Sequence, residues 1–89
     1  MSLYSLLILD EATRDLAKLD KQAGRLIARR IQWLAENLEV IKPEAYTGDL
    51  AGFFKFRIGD YRVIYERLDN EQLLIIHQID HRRDIYRRK

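Results

Sequence analysis

Lys55, Arg57 and Arg62 lie within thirteen residues, Phe53-Phe54-Lys55-Phe56-Arg57-Ile58-Gly59-Asp60-Tyr61-Arg62-Val63-Ile64-Tyr65. Aromatic and β-branched residues alternate on both sides of Gly59-Asp60, the pattern of a β-hairpin, and Gly at the first turn position suits a type II′ turn. A two-residue loop sets Ile58 against Tyr61, Arg57 against Arg62 and Phe56 against Val63. Because strand side chains alternate between faces, Phe54, Phe56, Ile58, Tyr61, Val63 and Tyr65 form a core surface. Lys55, Arg57, Arg62 and Ile64 form the other. Opposed like charges destabilise a ladder by at most about 1 kcal/mol. Two readings follow: a solvated face with splayed cations, or an anion-binding floor on rigid strands, most simply for phosphate.

The remaining titratable and basic candidates come late in the chain. His77 lies in the last apolar run, residues 73–79. An even-length turn before that run puts His77 on the cationic face beside Arg62, and an odd one sends it into the core. A hydrogen-bonded structural histidine is its plainer role. Then follows His81-Arg82-Arg83-Asp84-Ile85-Tyr86-Arg87-Arg88-Lys89, a basic tail offset only by Asp84. A short helical turn docked by Ile85 is expected there. Arg83, Arg87, Arg88 and Lys89 are candidates for polyanion contact.

Elements must hold these groups in place. Residues 4–9 are apolar on both faces, which predicts a strand buried within the sheet. Asp10 is a candidate N-cap with Glu11 in the first turn, and Ala12, Leu16 and Leu19 make a narrow apolar stripe. Asp20 breaks the pattern and caps a second helix over residues 21–37. Ile27, Ile31, Leu34 and Leu38 form its stripe, which Leu26 and Trp33 widen, while Arg25, Arg29 and Arg30 lie off it as a solvated face. The two helices must form an αα-hairpin on the sheet. Residues 37–52 look irregular, with Pro43 excluding helix, and Tyr46 is expected to anchor this loop to the core. Asp69-Asn70 marks a second turn. The expected architecture is one α+β domain over residues 1–89, β-α-α-β-β-β, an antiparallel sheet packed on an αα-hairpin.

Composition narrows the class. Eighty-nine residues make one small domain with a modest core. There is no cysteine, so disulfides, thiolate metal sites and cysteine nucleophiles are excluded, as suits a reducing cytosol. Residues 3–9 are too short an apolar run to span a membrane, and no targeting signal accompanies them. Net charge is +2, divided unevenly: residues 1–50 hold 7 Lys/Arg against 8 Asp/Glu, and residues 51–89 hold 9 against 6. The basic half points to a surface facing a polyanion. No carboxylate pair, metal-ligand spacing, phosphate-cradling Gly loop or Ser/His/Asp set appears, so neither metal nor cofactor is expected.

The element order, Phe54-Lys55-Phe56-Arg57 leading through Gly-Asp into Tyr61-Arg62-Val63-Ile64-Tyr65, and His81-Arg82-Arg83-Asp84-Ile85-Tyr86 near the end together resemble the RelE/ParE superfamily of toxins from bacterial and archaeal toxin–antitoxin pairs. The resemblance covers essentially the whole chain. It implies the RelE-like microbial ribonuclease fold and, for the RelE branch, a cytoplasmic toxin that enters the ribosomal A site, cuts mRNA there and so inhibits translation. The family's functional positions match Lys55 and Arg57 on the first hairpin strand, Arg62 on the second, Arg82 after the last strand and Tyr86 in the tail. The tail is tighter than in some members, so Arg82 and Arg83 both fit the arginine role. The shorter hairpin turn shifts Arg62 against Lys55. A cognate antitoxin, extended and partly helical, is implied as inhibitor and partner.

RNA cleavage of this kind needs the 2′-OH deprotonated, the phosphorane charge stabilised and the leaving 5′-oxygen protonated. Clustered cations lower the pKa of a neighbouring Lys or Tyr. Lys55 or Tyr86 is then the base, Arg57 and Arg62 bind and stabilise the phosphate, and Arg82 assists the leaving oxygen. Tyr86 is alternatively a base-stacking residue, and His81 a candidate because imidazole titrates in the useful range. Two other functions compete: a ParE-like inhibitor of DNA gyrase without nuclease activity, and a non-toxic binding module.

Overall fold

A computed structural model describes residues 3–81 of the chain. The elements are β1 (Ser5–Ile8), α1 (Asp10–Ala17), α2 (Lys21–Asn37), β2 (Glu44–Ala45), a 3₁₀ turn (Gly48–Leu50), β3 (Phe54–Ile58), β4 (Tyr61–Leu68) and β5 (Leu73–His81). One five-stranded sheet has the order β1-β5-β4-β3-β2. Both helices cover one of its faces. The α+β class and the expected element order hold, and two features correct the sequence expectation. The sheet is mixed, because β1 runs parallel to β5. The supposedly irregular stretch after α2 contributes β2, which pairs antiparallel with β3.

The core follows from the two periodicities. Ile27, Ile31, Leu34 and Leu38 on α2 are buried, and they meet Ile58, Val63, Tyr65, Leu74, Ile76 and Ile79 from the sheet. Each such aliphatic side chain contributes about 1.5–3 kcal/mol when fully buried. Asp20 caps α2 as expected, its carboxylate accepting from the Ala23 amide at 2.8 Å. Asp10 does not cap α1; it is the first helical residue and Leu9 holds the cap position. Leu26 and Trp33 do not extend the buried stripe, being 43% and 37% exposed. Trp33 instead stacks on Phe56 at 6.1 Å, and the Arg30 guanidinium lies over both rings. Arg30 is therefore packed, whereas Arg25 and Arg29 are exposed as expected.

β1 is an edge strand, not an interior one, and Leu7 on its outward face is 44% exposed. The strand is short, and α1 covers the β5 edge beyond its end. The Leu9 amide donates to the Ile76 carbonyl at 3.0 Å, and the Ile79 amide donates to the Asp15 carboxylate at 2.9 Å. Gln78 reaches Glu11 in the same region. Backbone groups of an edge that would otherwise invite another strand are thus partly satisfied by a helix.

At the opposite end of the sheet Arg67 pins four segments. It donates to Asp69 at 2.8 Å, to the Leu38 carbonyl at the C-terminus of α2 at 3.3 Å and to the Tyr4 hydroxyl at 3.3 Å. Tyr4 also donates to Asp69 at 2.7 Å. A cation against the last carbonyls of a helix is favourable. The Tyr4 and Arg67 hydrogen bonds hold the Asp69 carboxyl below the usual carboxylate range. The hydrogen bond to Asp69, aided by burial, raises the Tyr4 phenol. No helix among the described residues is long and apolar enough to cross a membrane.

Candidate functional site

The hairpin has the register expected from its turn. Ile58 opposes Tyr61, Arg57 opposes Arg62 and Phe56 opposes Val63. Gly59 takes φ +57° while Asp60 is not left-handed, which suits a type II′ turn. A side chain at position 59 would be strained. Lys55, Arg57 and Arg62 therefore share the face of the sheet turned away from the helices. Ile64 joins them and is nevertheless buried.

β2 brings a group to this face that sequence reasoning missed. Glu44 opposes Lys55 in the β2–β3 register, and its carboxylate meets Arg57 at two points, Nε to Oε1 at 3.3 Å and a terminal nitrogen to Oε2 at 3.4 Å. The pair is open to water, with Arg57 58% and Glu44 47% exposed, so it is weakly held and an anion can compete for the guanidinium. The only local signals were Pro43 before the segment and the alternation of Glu44 with Tyr46. Two residues of strand are too short a pattern to stand out. Tyr46 also departs from expectation. It is not part of the core; its ring lies 5.2 Å from the Lys55 ammonium.

β5 supplies the other border. Asp80 opposes Arg62, and Tyr61 opposes His81. Alternation then puts His81 on the helix-covered face, edge-on to Tyr61 at 5.0 Å, across the sheet from Arg62. A bulge intervenes between Ile64 and Tyr65: Ile64 pairs with Gln78 and Tyr65 with Ile76, leaving His77 as the extra residue. Such a bulge re-aims a side chain. His77 reaches the outward face, as an even-length turn requires, but it meets Glu66 at 3.0 Å and the Phe53 ring at 4.7 Å. His77 is thus a hydrogen-bonded residue on the outward face.

The structure brings together Lys55, Arg57 and Arg62, adds Glu44, engages His77 with Glu66 and Phe53, and puts His81 on the opposite face of the sheet. Arg82, Arg83, Tyr86, Arg87, Arg88 and Lys89, with the expected tail helix and Ile85, lie outside the described residues. Among the described residues, Arg62 makes no ion pair, and no three His, Asp or Glu side chains converge to hold a metal ion. Chemically, the arrangement offers three cations for a phosphate and, in Glu44, a carboxylate beside two of them, with Asp80 opposite Arg62 on the β5 border.

Residues 6–86 match a family described as "ParE toxin of type II toxin-antitoxin system". Toxin RelG of Mycobacterium tuberculosis is 37% identical over 90 residues, covering 96% of this chain and 98% of that protein. The fold is similar to the toxin–antitoxin complex RelBE2 of Mycobacterium tuberculosis, with TM-score 0.82 and 31% identity over 92% of this chain and 94% of the other. It is also similar to the archaeal RelE–RelB complex of Pyrococcus horikoshii OT3, with TM-score 0.73 and 24% identity over 91% and 97%. The isolated Escherichia coli RelE toxin shares the fold at TM-score 0.71 and 12% identity, over 90% of this chain and 84% of the other.

Proposed function

Because the chain belongs to the RelE/ParE family of toxins of type II toxin–antitoxin systems, we propose that it is a ribosome-dependent endoribonuclease that cuts mRNA in the A site and is held inactive by a cognate antitoxin. The observation that carries this reading is the outward face itself. Arg57 and Arg62 stand opposed on rigid strands with Lys55 beside Arg57. Folding alone gives no reason to oppose two arginines there, whereas a phosphate uses both. The similarity to toxin–antitoxin complexes supports the antitoxin partner.

In this mechanism Lys55, Arg57 and Arg62 grip the scissile phosphate. The 2′-oxygen attacks phosphorus, the bond to the 5′-oxygen breaks, and a 2′,3′-cyclic phosphate and a 5′-hydroxyl result. The arginines stabilise the phosphorane charge. Glu44 joins Lys55 and Tyr86 as a candidate acceptor of the 2′-proton, standing opposite Lys55 and against Arg57. When the phosphate takes Arg57, the Glu44 carboxylate is freed beside it. Arg82 or Arg83 assists the leaving oxygen. With so few acid–base groups, orientation by the ribosome supplies much of the rate, so free RNA is cut weakly.

The test is primer extension on a defined mRNA in a purified translation reaction, comparing wild type with Arg62→Ala, with and without ribosomes. Cleavage within the A-site codon that needs both the ribosome and Arg62 supports the reading. Intact mRNA with wild-type protein overturns it. The ParE name of the matched family favours gyrase inhibition as the second reading, and a gyrase supercoiling assay is then the deciding measurement.

A further inference from the structure

The β2 side of the outward face carries aromatic rings for which the phosphate chemistry has no use. The Tyr46 amide donates to the Phe53 carbonyl at 2.9 Å, so the β2–β3 pairing continues one step beyond Ala45. Tyr46, two residues after Glu44, therefore faces outward like Glu44, and its ring lies 5.2 Å from the Lys55 ammonium. Phe53 faces the same way, meeting the His77 ring at 4.7 Å. Neither ring belongs to the apolar core, and both are half-buried, with surface left in solvent. A tyrosine whose task was to anchor its loop would sit among Ile58, Val63 and their neighbours. Tyr46 sits instead beside a cation of the site.

We propose that Tyr46 is a base-stacking residue: the nucleobase adjoining the phosphate held by Lys55, Arg57 and Arg62 lies on its ring, and Phe53 continues the apolar floor. Single-stranded nucleic acid is bound by cationic tracks interleaved with aromatic faces, and Tyr46, Lys55 and Phe53 reproduce that interleaving on one sheet surface. The Lys55 ammonium lies within cation–π range of the ring and fixes it in place, so little side-chain freedom is left to lose on binding. Sequence preferences in such sites follow stacking strength, which gives the larger purine rings the advantage at this position. This inference rests on the proposed RNA cleavage and names the base-side contact of the same site.

The test uses the full chain in the ribosome reaction, over mRNAs whose A-site codon is varied one position at a time. Wild type, Tyr46→Phe, Tyr46→Leu and Tyr46→Trp are compared, each with its thermal midpoint. Phe and Trp are expected to cleave within about twofold of wild type and to keep the purine preference, since stacking needs only the aromatic face. Leu is expected to cut roughly 5- to 150-fold more slowly and to lose the preference, from the usual worth of one stacked base. Equal rates and codon profiles for Leu and Phe overturn the proposal, as does a folded Trp variant without activity. Should the Leu variant melt early, the Trp variant decides, because it enlarges the stacking face without emptying the site. If wild type leaves every mRNA intact, the cleavage reading itself has failed, and the stacking proposal falls with it.

Discussion

Arg57 and Glu44 form a two-point ion pair on the outward face of the sheet, at 3.3 and 3.4 Å, in a register that also sets Glu44 opposite Lys55. The Glu44 carboxylate therefore stands next to the phosphate-binding groups. Its exposure means that folding depends on it little, because exposed pairs contribute about 0.2–1 kcal/mol.

Glu44→Gln separates chemistry from stability. As the base for the 2′-proton, Glu44 is worth about 10²–10⁴-fold in cleavage, while the thermal midpoint stays within a few degrees of wild type. Retention of the wild-type cleavage rate by the glutamine variant would return the role of base to Lys55 or Tyr86.

Asp69 gives the fold an acid sensitivity. Its carboxyl is held low by Tyr4 and Arg67 in the folded chain, and it returns to an ordinary value of about 3.9 on unfolding. Its contribution is present above that unfolded value and is lost as pH falls through the depressed folded one. Thermal midpoints measured from pH 6 to pH 2 should drop more steeply for wild type than for Asp69→Asn. Parallel curves would show that the Tyr4–Asp69–Arg67 cluster does not couple protonation to folding.

Tyr65 keeps a hydroxyl in the core without a hydrogen-bond partner among the described residues, and burial raises its phenol above the usual tyrosine range. An unsatisfied buried polar group costs about 1–3 kcal/mol. Tyr65→Phe preserves the stack on Phe54, 5.6 Å away, and is expected to leave stability unchanged or raise it by up to that amount. Chemical denaturation showing a loss above about 1 kcal/mol would mean that the hydroxyl has a partner after all.

Asp15 guards the β5 edge through the Ile79 amide. Asp15→Ala leaves that amide without this acceptor in a buried position, at a cost of about 1–3 kcal/mol. Asp15→Asn keeps an acceptor oxygen and should recover part of the loss. Equal denaturation midpoints for wild type and the alanine variant would show that water replaces the carboxylate.

Much of this molecule is local and so was open to sequence reasoning. The Gly59-Asp60 turn fixes the register of its own hairpin, and so puts Arg57 opposite Arg62 and Lys55 on the same face. The spacing of Ile27, Ile31, Leu34 and Leu38, with the Asp20 cap, marks out α2. Resemblance carried the family, whose motifs fall in the same hairpin and in the tail.

What needed tertiary structure depends on contacts between segments far apart in the chain. Residues 5–8 look like an interior strand because Leu6 and Ile8 face the core while Leu7 is simply left exposed at an edge; apolar sequence does not reveal how many neighbours a strand has. The bulge that leaves His77 unpaired and sets Asp80 against Arg62 is a mismatch between two strands, invisible in either alone. Glu44 and Tyr46 reach the site only because β3 offers them an edge to pair with. The sequence by itself determined the hairpin, its cations and the helices that cover its far side, since turn chemistry and periodicity act over a few residues. Only the tertiary structure decided which carboxylate and which aromatic ring stand beside those cations, since that is set by pairing between strands separated by loops that carry no register of their own.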